Sequence, residues 1–180
     1  MRRFVPYLCL ALWSTWLFAL QGWWAAGRAP GGLVPDLGVV LLLGIAARTD
    51  GARARRVALV IALSRAALSA DNPAALVLAY LAVALIAAPI AATLDLDRPW
   101  LRALLAALGG GAIALWLPFA ADLRAPLPAG VEPSGGSLGW PVALATAVVA
   151  LALSKALRAL PGLGPLWREE GSWELAARGR

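Results

Sequence analysis

The feature that most constrains this chain is a series of six long apolar stretches joined by short segments that hold most of its charges. About 20 apolar residues in a helix cross the ~30 Å hydrocarbon layer of a bilayer, and four of the stretches have about that length. Only 14% of the residues are charged, against about 25% in an average soluble domain. We therefore predict an all-α, polytopic membrane protein with six transmembrane helices, at residues 4–26, 33–47, 57–70, 74–94, 100–121 and 138–157.

The second and third stretches are shorter than a membrane crossing usually requires. Their lengths also fit a re-entrant hairpin, whose tip would carry four arginines into the bilayer: Arg48, Arg53, Arg55 and Arg56. Each arginine at the centre of a bilayer costs about 2.5–3.5 kcal/mol. Two complete crossings, with local thinning of the bilayer or arginines that reach back to its surface, are less costly.

The distribution of basic residues predicts the orientation. If the N-terminus is cytoplasmic, thirteen of the 16 basic residues fall in cytoplasmic segments, whereas Arg28 and Arg124 fall in outer segments and Arg65 lies within the third stretch. Basic residues concentrate on the cytoplasmic side, so we expect a multi-pass protein of the bacterial inner membrane with both termini in the cytoplasm. This orientation, together with attraction to anionic lipids, explains the net charge of +6 without a nucleic-acid partner.

Residues 1–160 are predicted to form one transmembrane domain, and residues 161–180 a cytoplasmic tail that rests on the membrane surface. The first apolar run exceeds the about 7–15 residues of a signal-peptide core, so we expect a retained helix. The outer loop at residues 122–137 is rich in proline and glycine and is predicted to be irregular. Three tryptophans near predicted helix ends are expected to lie at the membrane interface: Trp100, Trp116 and Trp140.

The chain lacks the side chains of most catalytic and metal sites. It has no histidine and a single cysteine, Cys9, which excludes intramolecular disulfides, Cys/His zinc sites and histidine general bases. Asp95 and Asp97 belong to a mixed-charge loop with no means of raising the pKa of one carboxyl, as acid–base catalysis requires. We therefore expect no enzyme activity and predict no catalytic, cofactor-binding or metal-binding residues.

Asp36 and Arg65 are the candidate functional residues, because charges inside a bilayer are costly and normally face protein or water. Asp36 lies three residues into the second predicted helix and Arg65 five residues before the end of the third, so their depths differ by about 3 Å. The two could form a structural ion pair. Alternatively, Arg65 recognises an anionic ligand, Asp36 takes part in ion coupling, or each side chain reaches back to the interface.

Small residues indicate two faces for close helix packing. Ala84, Ala88 and Ala92 follow small-xxx-small spacing on the fourth predicted helix, and Gly109, Gly110 and Gly111 lie in the middle of the fifth. Packing within the domain is favoured over a partner-binding face, since the whole chain is rich in alanine. The three glycines could instead loosen the helix, as in the broken helices of transporters.

Two short motifs carry a resemblance to a known family. Leu33-Val34-Pro35-Asp36 leads into an apolar helix, and the segment from Ala62 to Ser69 is followed by Pro73-Ala74-Ala75. With a basic inner loop and six helices, these motifs make residues 1–160 similar to the rod shape-determining protein MreD family, of which the chain resembles a divergent member. The matching positions are Pro35, Asp36, Arg65, Ser69 and Pro73. At Ala66 the family has an acid, and alanines at 62 and 75 replace its glycines.

This resemblance implies a non-enzymatic inner-membrane component of the cell-shape and elongation machinery, which scaffolds peptidoglycan synthesis. The implied partners are an MreC-like protein, the actin-like MreB, and a RodA-type glycosyltransferase with its transpeptidase. It also implies a fold similar to the substrate-binding subunits of energy-coupling-factor transporters. The rival interpretation is therefore a substrate-binding subunit of a vitamin-type transporter. It is motivated by three features: Arg65, the glycine-rich fifth helix and the outer loop.

Overall fold

The computed structural model describes residues 4–26, 33–94, 98–123 and 139–166. Within these ranges the chain is all-helical, with a short 3₁₀ turn at Gly164–Leu166 after six α-helices: α1 Val5–Ala25, α2 Leu37–Ala46, α3 Gly51–Ala66, α4 Pro73–Thr93, α5 Pro99–Asp122 and α6 Gly139–Arg158. Among the described residues, three helical segments are long and apolar enough to cross a membrane: α1, α5 and the Pro73–Ala91 part of α4. The chain therefore has the composition and helices of a membrane protein.

Polar residues at the helix starts explain where α2, α3 and α4 begin. Asp36 accepts a hydrogen bond from the Val39 N–H at 3.0 Å, and Asp50 accepts one from the Arg53 N–H at 2.8 Å. Asn72 caps α4 in the same way, directly before Pro73. Side-chain acceptors at this position satisfy N–H groups that have no partner inside the helix.

These caps displace two predicted boundaries. The second helix begins at Leu37 rather than residue 33, because the chain before Asp36 is extended. The third covers Gly51–Ala66 rather than residues 57–70. The predicted helix began after the charged residues, where the apolar stretch begins. Because arginine is a good helix former, the observed helix includes these residues and begins at the Asp50 cap. The longer α3 measures about 24 Å.

Helix α2 lies at the centre of the bundle. All ten of its residues are buried, and it contacts each of the other five helices. Around it the neighbouring pairs are α1 with α3, α3 with α4, α4 with α5, and α5 with α6. A helix that is apolar on every side is expected at such a fully enclosed position, and the composition of Leu37–Ala46 therefore explains the architecture.

The glycines of α5 permit close contact with three other helices. A Cβ added at Gly110 would lie 2.7 Å from Thr146 Oγ1 of α6, and one at Gly111 would lie 3.1 Å from Ala143. A Cβ added at Gly109 would lie 3.1 Å from Val39 of α2 and 3.5 Å from Val83 of α4. Helix α5 runs unbroken through these positions, so the glycines act here in packing rather than as a break.

The predicted alanine face of α4 is only partly buried against other helices. Ala84 is fully buried, and Ala88 lies beside Gly51 at the start of α3. The side chain of Ala92 lies outside the described residues.

The segment at residues 161–166 packs against the bundle. Trp13 Nε1 donates to the Pro161 carbonyl at 3.1 Å, and Arg53 Nη1 donates to the Pro165 carbonyl at 3.4 Å. Leu163 and Leu166 are buried. The first part of the predicted surface tail therefore belongs to the domain, at the end where α3 begins. Residues 167–180 and most of the predicted outer loop, residues 124–137, lie outside the described ranges.

Candidate functional site

Five helices contribute polar side chains to one buried site at the end of the bundle where α2 begins. We call it the Asp36 cluster, and its members are Gln21, Asp36, Arg65, Tyr80 and Thr146. They come from α1, the cap of α2, α3, α4 and α6 respectively. The cluster therefore joins the central helix to four of the five helices that surround it.

Asp36 is the centre of this cluster and is only 2% exposed. Its Oδ1 accepts hydrogen bonds from the Val39 N–H at 3.0 Å and the Tyr80 hydroxyl at 2.8 Å. Its Oδ2 pairs with Arg65 Nη1. The carboxylate thus has both a cationic partner and neutral donors, which is the arrangement that a buried charge requires.

The backbone at the start of α2 is also bonded to neighbouring helices. The Asp36 N–H donates to Thr146 Oγ1 at 2.9 Å, and that hydroxyl donates to the Val142 carbonyl at 2.6 Å. The Leu37 N–H donates to Gln21 Oε1 at 3.3 Å. Helix starts leave N–H groups without intrahelical partners, and here side chains of α1 and α6 provide the acceptors.

Two aromatic rings lie close to the guanidinium of Arg65. Its side chain is 16% exposed, and its guanidinium carbon lies 5.8 Å from the ring centroid of Phe18 and 5.9 Å from that of Tyr80. Its Nη1 also donates to the Tyr80 hydroxyl at 2.9 Å. Cation–π contacts are strongest where water is excluded, so the rings and Asp36 together stabilise a charge inside the bundle.

Asp36 and Arg65 are in contact in the structure, which matches the ion pair, one of the alternatives that the sequence left open. The predicted position of Asp36 was wrong, because Asp36 is the cap of α2 rather than a residue three positions inside the helix. Arg65 faces this carboxylate rather than reaching back to the surface. Of the other family-matching positions, Pro35 precedes the cap and Pro73 is the first residue of α4.

Three members of the cluster were missed from the sequence: Gln21, Tyr80 and Thr146. Tyr80 and Thr146 each interrupt an otherwise apolar run. An intramembrane polar residue needs a partner, so this interruption is the signal that could have identified both. Gln21 adjoins Trp23 and Trp24 near a helix end, where a polar residue is unremarkable.

A small cavity of about 160 Å³ lies beside Arg65. It is lined by Phe18, Gln21, Gly22, Ala25, Val34, Arg65, Leu68, Ser69 and Asp71. The Ser69 hydroxyl oxygen is buried and has no hydrogen-bond partner among the described residues. Such an unsatisfied group is unusual in a folded protein.

A larger space of about 790 Å³ lies between parts of α4 and α5, and we call it the α4–α5 groove. Its lining is apolar apart from the Trp116 indole, and consists of Leu43, Leu78, Ala79, Ala82, Val83, Ile86, Ala87, Ile90, Leu105, Leu108, Gly109, Ala112, Ile113 and Trp116. Its walls include strongly exposed large side chains, such as Ile86 and Leu108, whereas its small residues Ala79 and Gly109 are buried.

Trp116 lies between the groove and the Asp36 end of the bundle. Its Nε1 donates to the Ala75 carbonyl of α4 at 3.0 Å. Trp116 was predicted only to lie at the membrane interface, but its indole also joins α5 to α4. Trp100 and Trp140 are 59% and 69% exposed, as interfacial residues would be.

No group of three His, Cys, Asp or Glu side chains within the described ranges could hold a metal ion. Comparison of the chain with protein-family models, curated proteins and solved structures finds no match.

Proposed function

We propose that this chain is a six-span inner-membrane protein with both termini in the cytoplasm, and that it is a non-enzymatic scaffold of the cell-elongation machinery. The resemblance to the MreD family supports this role. Its matching positions Asp36 and Arg65 belong to the Asp36 cluster, and Ser69 lines the cavity beside it. The family motifs thus correspond to residues that organise the helix bundle, which is what a scaffold needs.

The six spans include two that are short for a bilayer. Helix α2 is only about 15 Å long, but all its residues are buried among the other helices. Its length therefore need not match the hydrocarbon layer, since lipid does not surround it. The longer α3, with its arginines toward one end, fits a crossing in which those side chains reach the membrane surface.

We further propose a fold similar to that of the substrate-binding subunits of energy-coupling-factor transporters.

The observation that carries the scaffold proposal is the α4–α5 groove. Small exposed residues on its lining, Ala82 and Ala112, permit close approach of another helix backbone. The apolar walls suit a transmembrane helix, which lies in such a groove along its own apolar face. The occupant we propose is a transmembrane helix of an MreC-like partner, through which the actin-like MreB, the RodA-type glycosyltransferase and its transpeptidase would be engaged.

The rival function, a substrate-binding subunit of a vitamin transporter, is less well supported. Small-molecule sites usually have volumes of about 300–1,000 Å³ and a few converging polar groups. The polar cavity beside Arg65 is smaller, at about 160 Å³. The larger α4–α5 groove has the volume but almost no polar lining.

Filling the groove tests the scaffold proposal. Ala82→Trp places a large side chain in the groove at an exposed position, so we expect recovery of the MreC-like partner to fall at least about tenfold. The measurement is crosslinking in native membranes followed by affinity purification and mass spectrometry. In the host, the same variant should alter cell width.

The matched control is Leu144→Trp, on the exposed face of α6. This variant has the same added residue in a similar lipid-facing environment, and should retain the partner. Equal recovery of the partner with Ala82→Trp and wild type would exclude the groove as its site. Normal cell width after depletion of the protein, with no MreC-like protein recovered, would exclude the elongation role altogether.

A further inference from the structure

We propose that the cavity beside Arg65 binds the headgroup of an aminophospholipid, with the lipid phosphate at Arg65 and Ser69 and its ammonium group at Asp71. These three residues all line the cavity. The shared chemistry is a phosphate ester carrying a primary amine, which a membrane lipid or a soluble phosphoethanolamine can supply. The proposal concerns a different surface from the α4–α5 groove.

Arg65 retains donors for a ligand after its contacts within the protein are counted. A guanidinium has five N–H donors, and among the described residues both hydrogen bonds of Arg65 come from Nη1, to Asp36 and Tyr80. The Nη2 and Nε groups are left for the cavity that this side chain lines. Arginine recognises phosphate through such adjacent N–H groups.

Two further donors line the same cavity. The Ser69 hydroxyl is buried without a partner among the described residues, and burial of an unpaired hydroxyl is unfavourable. Gln21 uses its Oε1 to accept from the Leu37 N–H, so its amide nitrogen remains a donor. A phosphate oxygen would satisfy the groups that the protein leaves unpaired.

The local charge favours a zwitterion over a simple anion. Asp36 already pairs with Arg65, and Asp71 adds a second carboxylate at the cavity. These three side chains therefore have a net charge of about −1 at neutral pH. A headgroup with both a phosphate and an ammonium group complements Arg65 and Asp71 together, whereas a phosphate alone would be repelled by Asp71.

The position of the cavity favours a lipid over a soluble compound as the source of this headgroup. The rim includes exposed residues of α1, Gly22 and Ala25. The same turns carry the exposed Trp23 and Trp24, and tryptophans of this kind lie at headgroup depth.

The test is lipid binding by the purified full-length protein in detergent, measured by native mass spectrometry. The probes are palmitoyl-oleoyl phosphatidylethanolamine, phosphatidylcholine and phosphatidylglycerol. We expect phosphatidylethanolamine to bind about tenfold more tightly than the other two, because only its headgroup has a compact ammonium group for Asp71.

Two variants with matched controls locate the site. Ser69→Ala should weaken phosphatidylethanolamine binding about tenfold, whereas Ser64→Ala should not, because Ser64 bonds to the Val60 carbonyl of its own helix. Asp71→Asn should remove the preference for phosphatidylethanolamine over phosphatidylglycerol. Asp122→Asn, at a carboxylate outside the cavity lining, should keep it.

A competition experiment distinguishes the two sources. Soluble phosphoethanolamine should displace the lipid only at concentrations far above that of the lipid, since it lacks the acyl chains. Displacement at equal concentration would instead identify the soluble compound as the ligand and overturn the lipid assignment. Equal binding of the three lipids, or unchanged binding in both Ser69→Ala and Asp71→Asn, would show that the cavity holds only water and overturn the proposal.

Discussion

The Asp36 cluster and the α4–α5 groove are two contrasting ways in which this bundle brings helices together. At the cluster, ionic and hydrogen-bonding groups from five helices meet around a carboxylate that is 2% exposed. At the groove, about 790 Å³ of apolar-lined space lies between parts of α4 and α5, which are joined at one end by the Trp116 hydrogen bond. One region is closed by specific bonds, and the other is left open.

The difference shows which contacts determine the fold and which are left for a partner. In a bilayer, apolar side chains gain little by leaving lipid, so specific helix association depends on polar bonds and close packing. The cluster has both, because Thr146 is bonded to the start of α2 and lies against Gly110. Among its described residues, the groove has a single side-chain hydrogen bond, from Trp116 to the Ala75 carbonyl at one end, and its other walls include large, exposed apolar side chains. These walls can therefore accommodate another helix without loss of the fold.

Removing the charge of Asp36 should lower the stability of the protein most, and it tests whether the Asp36 cluster holds the helices together. Asp36→Asn keeps an acceptor for the Val39 N–H but leaves the buried Arg65 charge without the carboxylate that is bonded to it. We expect the free energy of unfolding to fall by about 3–5 kcal/mol, measured by denaturant titration in detergent micelles.

The control for this variant is Asp50→Asn, because Asp50 also caps a helix but is exposed. It should change stability by less than about 0.5 kcal/mol. Removing both charges, with Asp36→Asn and Arg65→Met together, should recover most of the loss. If Asp36→Asn were as stable as wild type, the buried pair would not hold the bundle together and the comparison would fail.

Tyr80→Phe should have an intermediate effect, since it removes one hydroxyl from the cluster. That hydroxyl donates to Asp36 at 2.8 Å and accepts from Arg65 at 2.9 Å. Loss of both bonds should reduce the free energy of unfolding by about 1–3 kcal/mol. Tyr7→Phe is the control, at the other tyrosine of the chain, and equal losses in the two variants would argue against a specific role of Tyr80.

Trp116→Phe should lower the stability of the protein least, and it tests how much the hydrogen bond at the α4–α5 groove contributes. It keeps an aromatic ring but removes the hydrogen bond to the Ala75 carbonyl. We expect a loss of about 0.5–1.5 kcal/mol by the same titration. The exposed Trp100→Phe should be neutral within about 0.5 kcal/mol. A larger loss than in Asp36→Asn would mean that the groove, rather than the cluster, holds the helices together.

The helices could be predicted from the sequence because their signals are local. Apolar length indicates all six, and the described boundaries of α1, α4, α5 and α6 differ from the predicted ones by about one residue. The boundaries of α2 and α3 were less accurate, because a capping carboxylate or an arginine can belong to a helix end as well as to a loop. The central position of α2 was not predicted, although Leu37–Ala46 is the most apolar of the six helices and such a composition is typical of an enclosed helix.

The candidate site was only partly predictable, because some of its contacts join residues that are far apart in the sequence. The depths of Asp36 and Arg65 follow from counting residues along two neighbouring helices, so their contact is accessible from the sequence. The contact of Thr146 with the Asp36 backbone joins residues 110 positions apart, and it depends on how α6 is placed in the bundle. The space between α4 and α5 is likewise a property of the assembled helices.

The enclosure of α2 has a consequence for how this protein is made. In a bilayer, a ten-residue helix reaches about half-way across the hydrocarbon, and the N–H at its start receives its Thr146 acceptor only from α6, more than 100 residues later in the chain. A ribosome-bound intermediate that lacks α6 therefore has an incomplete α2 environment. Final assembly must therefore follow synthesis of α6, and products truncated before α6 should be recognised by membrane quality-control proteases.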